Sequence, residues 1–334
     1  MVARSQGIAG IDFNDPLLEA SVRSGLSAVE ERLLACVHST DAFVAETARH
    51  LVSAGGKRFR PLVVLLAAAF GDMDNADVLA AAVVVELTHL ATLYHDDVMD
   101  DALVRRGAVS ANARWTNTVA ILTGDFLFAR ASDVLADLGP EAVRIQARTF
   151  ERLVMGQIHE TVGAPAGADL VEHYLSVVAE KTGSLIATSG RFGAMFGGSD
   201  PATVKVLTSY GEIIGVAFQL SDDLLDITSE ATESGKTPGT DLREGVPTLP
   251  VLYALAGEDP VEGRLRELIA EPLEDDILHT EALGLLRASP AMTRARSTLA
   301  SYATQARDLL APLPDVPARA ALESLAEFVV ARTG

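Results

Sequence analysis

The chain has 334 residues, with 27 Lys and Arg against 46 Asp and Glu, for a formal net charge of −19. Apolar residues make up 49% and aromatics only 5%, a mixture that can build a large core and favours helices over a β-sandwich or barrel. A surface this acidic lacks the basic face that nucleic-acid phosphates require, so no nucleic-acid partner is expected. A small anion met by metal ions stays compatible with it.

The single cysteine, Cys36, excludes an intramolecular disulfide framework and a cysteine-cluster zinc site. The residues after Met1 lack the apolar stretch of a signal peptide. The apolar runs 61–70 and 78–85 are shorter than the ~20 residues that span a bilayer. A soluble, cytoplasmic protein without a transmembrane segment is the expectation.

In chain order, Asp15 (or Asn14) caps a first helix with Pro16 at its first position, and that helix runs to about Cys36. Gly55–Gly56 breaks the pattern, and Pro61 suits the first turn of the next helix. Asp74–Asn75 opens a long helix reaching about Asp100; its β-prone Val83–Val85 sits between Ala-rich and Leu-rich turns and is read as buried helix. Breaks follow at Gly139–Pro140, Gly163–Gly167, Gly197–Pro201 and Pro312–Pro317, with Asp200–Pro201 as another cap. Ser229–Pro250 is polar and develops no apolar face, which makes it a candidate lid. No 20–50-residue repeat is present. The expectation is all-α: one large helical domain over residues 1–334.

Two segments set clustered carboxylates into apolar helical sequence: His95-Asp96-Asp97-Val98-Met99-Asp100-Asp101 and Gln219-Leu220-Ser221-Asp222-Asp223-Leu224-Leu225-Asp226. In each, the Asp at i and i+4 share a helix face with i+1 beside them, a mutually repulsive arrangement unless a cation binds. Paired hard oxygens are what Mg²⁺ prefers, with waters and substrate phosphates completing its shell. Glu271–Asp276, by contrast, is an ordinary solvated acidic turn.

Cations accompany the carboxylates. Lys57, Arg58 and Arg60 crowd a turn feeding a helix N-terminus, a natural anion site. Arg105-Arg106 follows the first acidic motif, Lys181-Thr182-Gly183 interrupts a helical pattern, and Lys236 lies in the polar loop. Carboxylates alternating with cations suit a substrate with two or more phosphates, held partly through metal and partly by Arg and Lys. Walker A spacing is absent, which disfavours a P-loop enzyme.

Taken together, GGKRFRP, DDVMD with RRG downstream, KTGSL, GVAFQLSDDLLD and GKTPGTDLREG, in this order between Gly55 and Leu252, resemble the trans-type polyprenyl diphosphate synthases. The resemblance implies an all-α bundle around a deep apolar cavity. It also implies a homodimer, with the two Asp-rich motifs across the cavity mouth. By position, Asp96, Asp97, Asp100, Asp222, Asp223 and Asp226 would hold Mg²⁺ on an allylic diphosphate. Arg105 matches the arginine of that diphosphate. Lys57, Arg60, His89 and Arg106 match the isopentenyl diphosphate site. Lys181, Thr182, Gln219 and Lys236 match groups beside the allylic diphosphate and the developing cation. The reaction implied is head-to-tail condensation, which needs no side-chain nucleophile. One departure is Val246, where many members carry Lys; Arg243 is a possible substitute. Of a basic C-terminal tail used by some members, only Arg332 remains, and no role is expected of it.

In this family, bulky residues four and five positions before the first Asp limit the product to short chains. Here those positions are Thr92 and Ala91, both small. A product of roughly eight to ten isoprene units by family analogy follows, of the kind used for quinone side chains, with peripheral membrane contact as a route of release. The floor alternatively lies at Phe126 or Phe128. The competing functions are a short-chain (geranylgeranyl- or farnesyl-type) synthase, a terpene cyclase, and a non-catalytic subunit of a heteromeric synthase. Intact acidic motifs argue against the last, and a second-substrate site argues against the cyclase.

Overall fold

The computed structural model describes residues 8–11, 13–229, 238–257 and 262–333. Several of its helices begin where a side chain supplies an acceptor for the unsatisfied first N–H groups. Asp15 accepts from the Leu18 N–H at 2.7 Å and Pro16 opens α1 (Pro16–Cys36). Asp41 caps α2 (Ala42–Ser53) through the N–H groups of Phe43 and Val44. After the double glycine comes α3 (Phe59–Ala68), and Asn75 caps α4 (Ala76–Met99). The motif residue Asp100 is thus the cap of α4, just past its last turn.

A feature not expected from the sequence follows α4. Strands β1 (Val104–Arg105) and β2 (Ala108–Val109) pair antiparallel, joined by Arg106 and Gly107 with φ of 54° and 76°. Two consecutive left-handed residues make a type I′ turn, whose twist matches that of a hairpin. The signal was hidden because arginine rather than asparagine precedes the glycine. Next come α5 (Ala111–Arg114), α6 (Asn117–Asp137), α7 (Pro140–Val162) and α8 (Leu170–Val178). A five-residue π turn (Ala179–Gly183) leads into α9 (Ser184–Phe196), and α10 (Pro201–Thr228) starts at the Asp200 cap. The remaining helices are Thr240–Glu244, Leu249–Leu255, Gly263–Leu268, Asp276–Ala288, Pro290–Leu309 and Pro317–Ala331. The all-α expectation therefore holds apart from the hairpin. The polar stretch 229–250 carries a short helix, Thr240–Glu244, and opens another, Leu249–Leu255; Lys236 lies outside the described residues.

The chain forms two compact units. The first comprises Met1–Glu151, Leu185–Gly211 and Pro312–Ser324. At its centre α4 packs most extensively on α6, then on α3 and α1. Residues 81–85 and 62–68 are buried on every side, which explains why their sequence carries no amphipathic stripe. Taken whole, α4 is long and apolar enough to cross a bilayer, contrary to the shorter apolar runs read from the sequence; most of it is buried inside the protein. The second unit comprises Arg152–Ser184, Glu212–Ala311 and Leu325–Gly334. There Leu249–Leu255, buried over most of its length, packs against Pro290–Leu309 and α8.

Candidate active site

In the first unit, α4, the hairpin and the turn before α3 bring the basic residues to the first acidic motif. Asp97, completely buried, accepts from Arg105 Nε at 2.6 Å, while Arg105 Nη2 stands 3.9 Å from an Asp100 oxygen. The second oxygen of Asp97 is buried without a hydrogen-bond partner. Asp96 and Asp100 are more open than Asp97. The first motif is thus unequal: one carboxylate is buried and gives one oxygen to Arg105, and the outer two are more accessible.

Arg106 folds back onto the Gly55–Gly56 turn. Its Nη1 donates to the Gly55 carbonyl at 2.5 Å, and a Cβ on Gly56 would stand 3.0 Å from its guanidinium carbon. Gly56 itself has φ of 145°, so glycine suits both the conformation and the close approach. Lys57 is exposed and Arg60 half-buried. Burial, followed by the charges of Arg60, Arg106, Arg105 and Arg58, holds His89 well below the ordinary histidine range. The imidazole is therefore neutral amid a strongly positive field, an environment suited to an anion.

Ala91 and Thr92 are both buried. Ala91 stands one turn before His95, where α6 comes close enough that a Cβ on Gly124 would stand 2.3 Å from His95 Nε2 and 3.1 Å from the Ala91 carbonyl. The Thr92 hydroxyl donates to the His89 carbonyl at 2.8 Å. Phe128 stacks with Phe150 at 4.5 Å and with His95 at 5.8 Å.

In the second unit, α10 carries the second acidic motif and the π turn carries its neighbours. Asp223 is buried and accepts from the Tyr174 hydroxyl and from Gln219 Nε2 at 3.0 Å; the Thr182 hydroxyl donates to Gln219 Oε1 at 3.2 Å. Burial first, with Asp222 and Asp226 adding, pushes the Asp223 carboxyl up to about 7, against the pull of the two hydrogen bonds. Asp222 pairs with Arg332 at 2.8 Å. The Asp226 carboxylate accepts from the N–H groups of Thr240 and Asp241, each at 3.2 Å. Lys181 pairs with Glu160, and Glu212 of α10 with Arg152 at 2.7 Å. The π turn places Lys181 and Thr182 close to α7, where a Cβ on Gly156 would stand 2.7 Å from the Lys181 nitrogen. Arg243, the possible stand-in for the missing lysine, pairs with Asp276 at 2.6 Å.

Several participants were missed from the sequence. Tyr174 carries no motif, and Arg332 holds Asp222 while also donating to the Ser221 hydroxyl and the Phe218 carbonyl. Glu30 and Glu86, both bonded to Arg58, are ordinary acidic residues until the fold is known. Both motifs offer hard carboxylate oxygens, including a buried Asp97 oxygen without a partner. Among the described residues no three potential ligands form a ready-made cage. That donor set fits a divalent ion that keeps waters and takes phosphate oxygens as further ligands.

A helical protein with two aspartate-rich motifs, each beside guanidinium or ammonium groups, has the makings of an enzyme acting on diphosphates. Comparison with known proteins makes this specific: a family model described as polyprenyl synthetase matches residues 41–285. The chain belongs to that family, whose members are prenyltransferases. It is 54% identical over 328 residues to a nonaprenyl diphosphate synthase of Mycobacterium tuberculosis, covering 98% of both chains. It is 42% identical to a dimethylallyltranstransferase of the same organism, covering 97% of this chain and 98% of that protein. A geranylgeranyl pyrophosphate synthase of Corynebacterium glutamicum, solved with calcium and isoprenyl diphosphate, superposes with a TM-score of 0.87 at 47% identity, over 97% of this chain and all of that one.

Proposed function

We propose that the protein condenses isopentenyl diphosphate with an allylic diphosphate, in the presence of Mg²⁺, to give an all-trans polyprenyl diphosphate of roughly eight to ten units by family analogy. A quinone side chain is the natural destination of such a product, and a homodimer the expected assembly. The similarity to a nonaprenyl diphosphate synthase over 98% of the chain is the observation that carries the long product. Small residues at Ala91 and Thr92 support it.

The chemistry divides among the chain's own groups. Lys57, Arg60 and Arg106, with neutral His89, bind isopentenyl diphosphate by charge and hydrogen bonds. Arg105, oriented by Asp97, offers its remaining donors to the allylic diphosphate. Asp96, Asp97 and Asp100 would hold Mg²⁺ within the first unit, and Asp222, Asp223 and Asp226 would do so within the second. When bound, the ion supplies Lewis-acid stabilisation of charge on the departing diphosphate. Lys181 adds a positive charge, and the hydrogen-bonded Thr182, Gln219 and Asp223 would offer polar oxygens to the developing allylic cation. The allylic carbon–oxygen bond breaks, the isopentenyl double bond forms the new carbon–carbon bond, and a proton leaves to the released diphosphate.

The short-chain alternative draws on the likeness to a geranylgeranyl pyrophosphate synthase; the wild-type product length separates the two, and one pair of variants tests what sets that length. Ala91→Phe and Thr92→Phe should each shift the product distribution of the folded enzyme to shorter chains. Unchanged product lengths in both would remove this pair from the length determinant and move it to the Phe128–Phe150 stack.

A further inference from the structure

Arg58 lies inside the GGKRFRP segment, yet the reaction above gives it no task. It stands immediately before α3 with φ of 46°, a left-handed conformation disfavoured for any residue with a Cβ. Its side chain is 4% exposed. Nε and Nη2 fork onto the Glu30 carboxylate of α1, Nη1 donates to Glu86 of α4 at 2.8 Å, and Nη2 also donates to the Val52 carbonyl at 2.9 Å. These protein acceptors engage each of its nitrogens, which leaves it little to offer a phosphate. Glu86, equally buried, reaches a second guanidinium, Arg106 Nη2 at 3.7 Å. Arg106 in turn closes on the Gly55 carbonyl at the start of the same turn. Glu30, Arg58, Glu86, Arg106 and Gly55 therefore form one connected path, and it brackets the segment that carries Lys57 and Arg60.

Lys57, Arg58, Arg60 and Arg106 are like charges drawn together, and without compensation they would spread. Two carboxylates offset that repulsion from behind. We propose that Arg58 is a positioning residue of the isopentenyl diphosphate subsite: clamped by Glu30 and Glu86, it fixes the left-handed turn from which Lys57 and Arg60 are presented, while Glu86 holds Arg106 against that turn. The anion then meets cations already in place, and the cost of assembling them is met in folding rather than in binding. This inference rests on the function proposed above.

The test is steady-state kinetics with each substrate varied in turn, on wild type, Glu30→Gln and Arg58→Lys. Glu30 belongs to α1 and is bonded to the turn through Arg58. Its substitution should raise the KM for isopentenyl diphosphate about five- to tenfold, leaving the allylic KM and kcat within about twofold. Arg58→Lys keeps the charge but loses the fork, and should raise the same KM at least as much. A purely structural role would instead lower the melting temperature and the active fraction, so that kcat falls and both KM values stand still; that result overturns the proposal. Should Arg58→Lys fail to fold, Glu30→Gln decides alone. A wild type that does not elongate any allylic diphosphate overturns the functional reading and this inference with it. An active wild type with an unmoved KM in Glu30→Gln overturns this inference only.

Discussion

His89 shows how the site's field acts on a single residue. Because burial, and then four arginines, hold its folded pKa well below the unfolded value near 6.5, the folded protein binds fewer protons than the unfolded chain once the pH drops below about 6.5. Stability from this group is complete above that pH and is lost on acidification. Denaturant unfolding at pH 7.5 and 5.5 should show wild type losing up to about 1.4 kcal/mol more than His89→Asn over that interval, the raised Asp223 carboxyl acting alike in both. An identical pH dependence in the variant would mean that His89 is not held neutral. The acidic residues of the motifs were legible in the sequence because their spacing alone states their chemistry. Their inequality was not: that Asp97 is turned to Arg105 and Asp223 to Tyr174 depends on groups the helical pattern does not locate.

Among the elements, the π turn is the one whose sequence trace was visible but whose form was not. Lys181-Thr182-Gly183 interrupts the helical pattern, and the structure resolves that interruption as a wider turn, the kind of distortion found at functional sites. Its fit against α7 depends on Gly156, where an added Cβ would meet the Lys181 backbone nitrogen at 2.7 Å and Glu180 Cβ at 2.9 Å. Gly156→Ala should therefore destabilise the protein by about 1–3 kcal/mol and lower kcat through displaced Lys181 and Thr182. Thermal melting together with kcat checks both parts; a variant with wild-type melting and turnover would show that the turn tolerates the shift. Helix starts at Asp15, Asn75 and Asp200 were legible because a cap is a local hydrogen bond. The Arg106–Gly107 hairpin and the Arg58 clamp were not. The first lacks the usual asparagine, and the second joins residues 28 apart in sequence on each side.

At the scale of the molecule, the acidic surface and the positive interior of the substrate site belong together. The net charge of −19 opposes the approach of diphosphates, so the proposed binding would rest on the clustered Arg and Lys groups and a divalent ion. Raising ionic strength screens that long-range repulsion before it weakens the buried contacts. The composition made the helical class legible, and the order of motifs made the family legible. Product length was not legible in the same way: under the proposal above it depends on how far a growing tail can run past Ala91 and Thr92, a matter of packing against α6.

The most direct test is one incubation of the purified protein with labelled isopentenyl diphosphate, farnesyl diphosphate and Mg²⁺, with the products separated by chain length. A ladder ending near eight to ten units by family analogy is the predicted result. A stop at four units would contradict the long-chain account while keeping the reaction, and no elongation with any allylic primer would contradict the reaction itself for this chain acting alone.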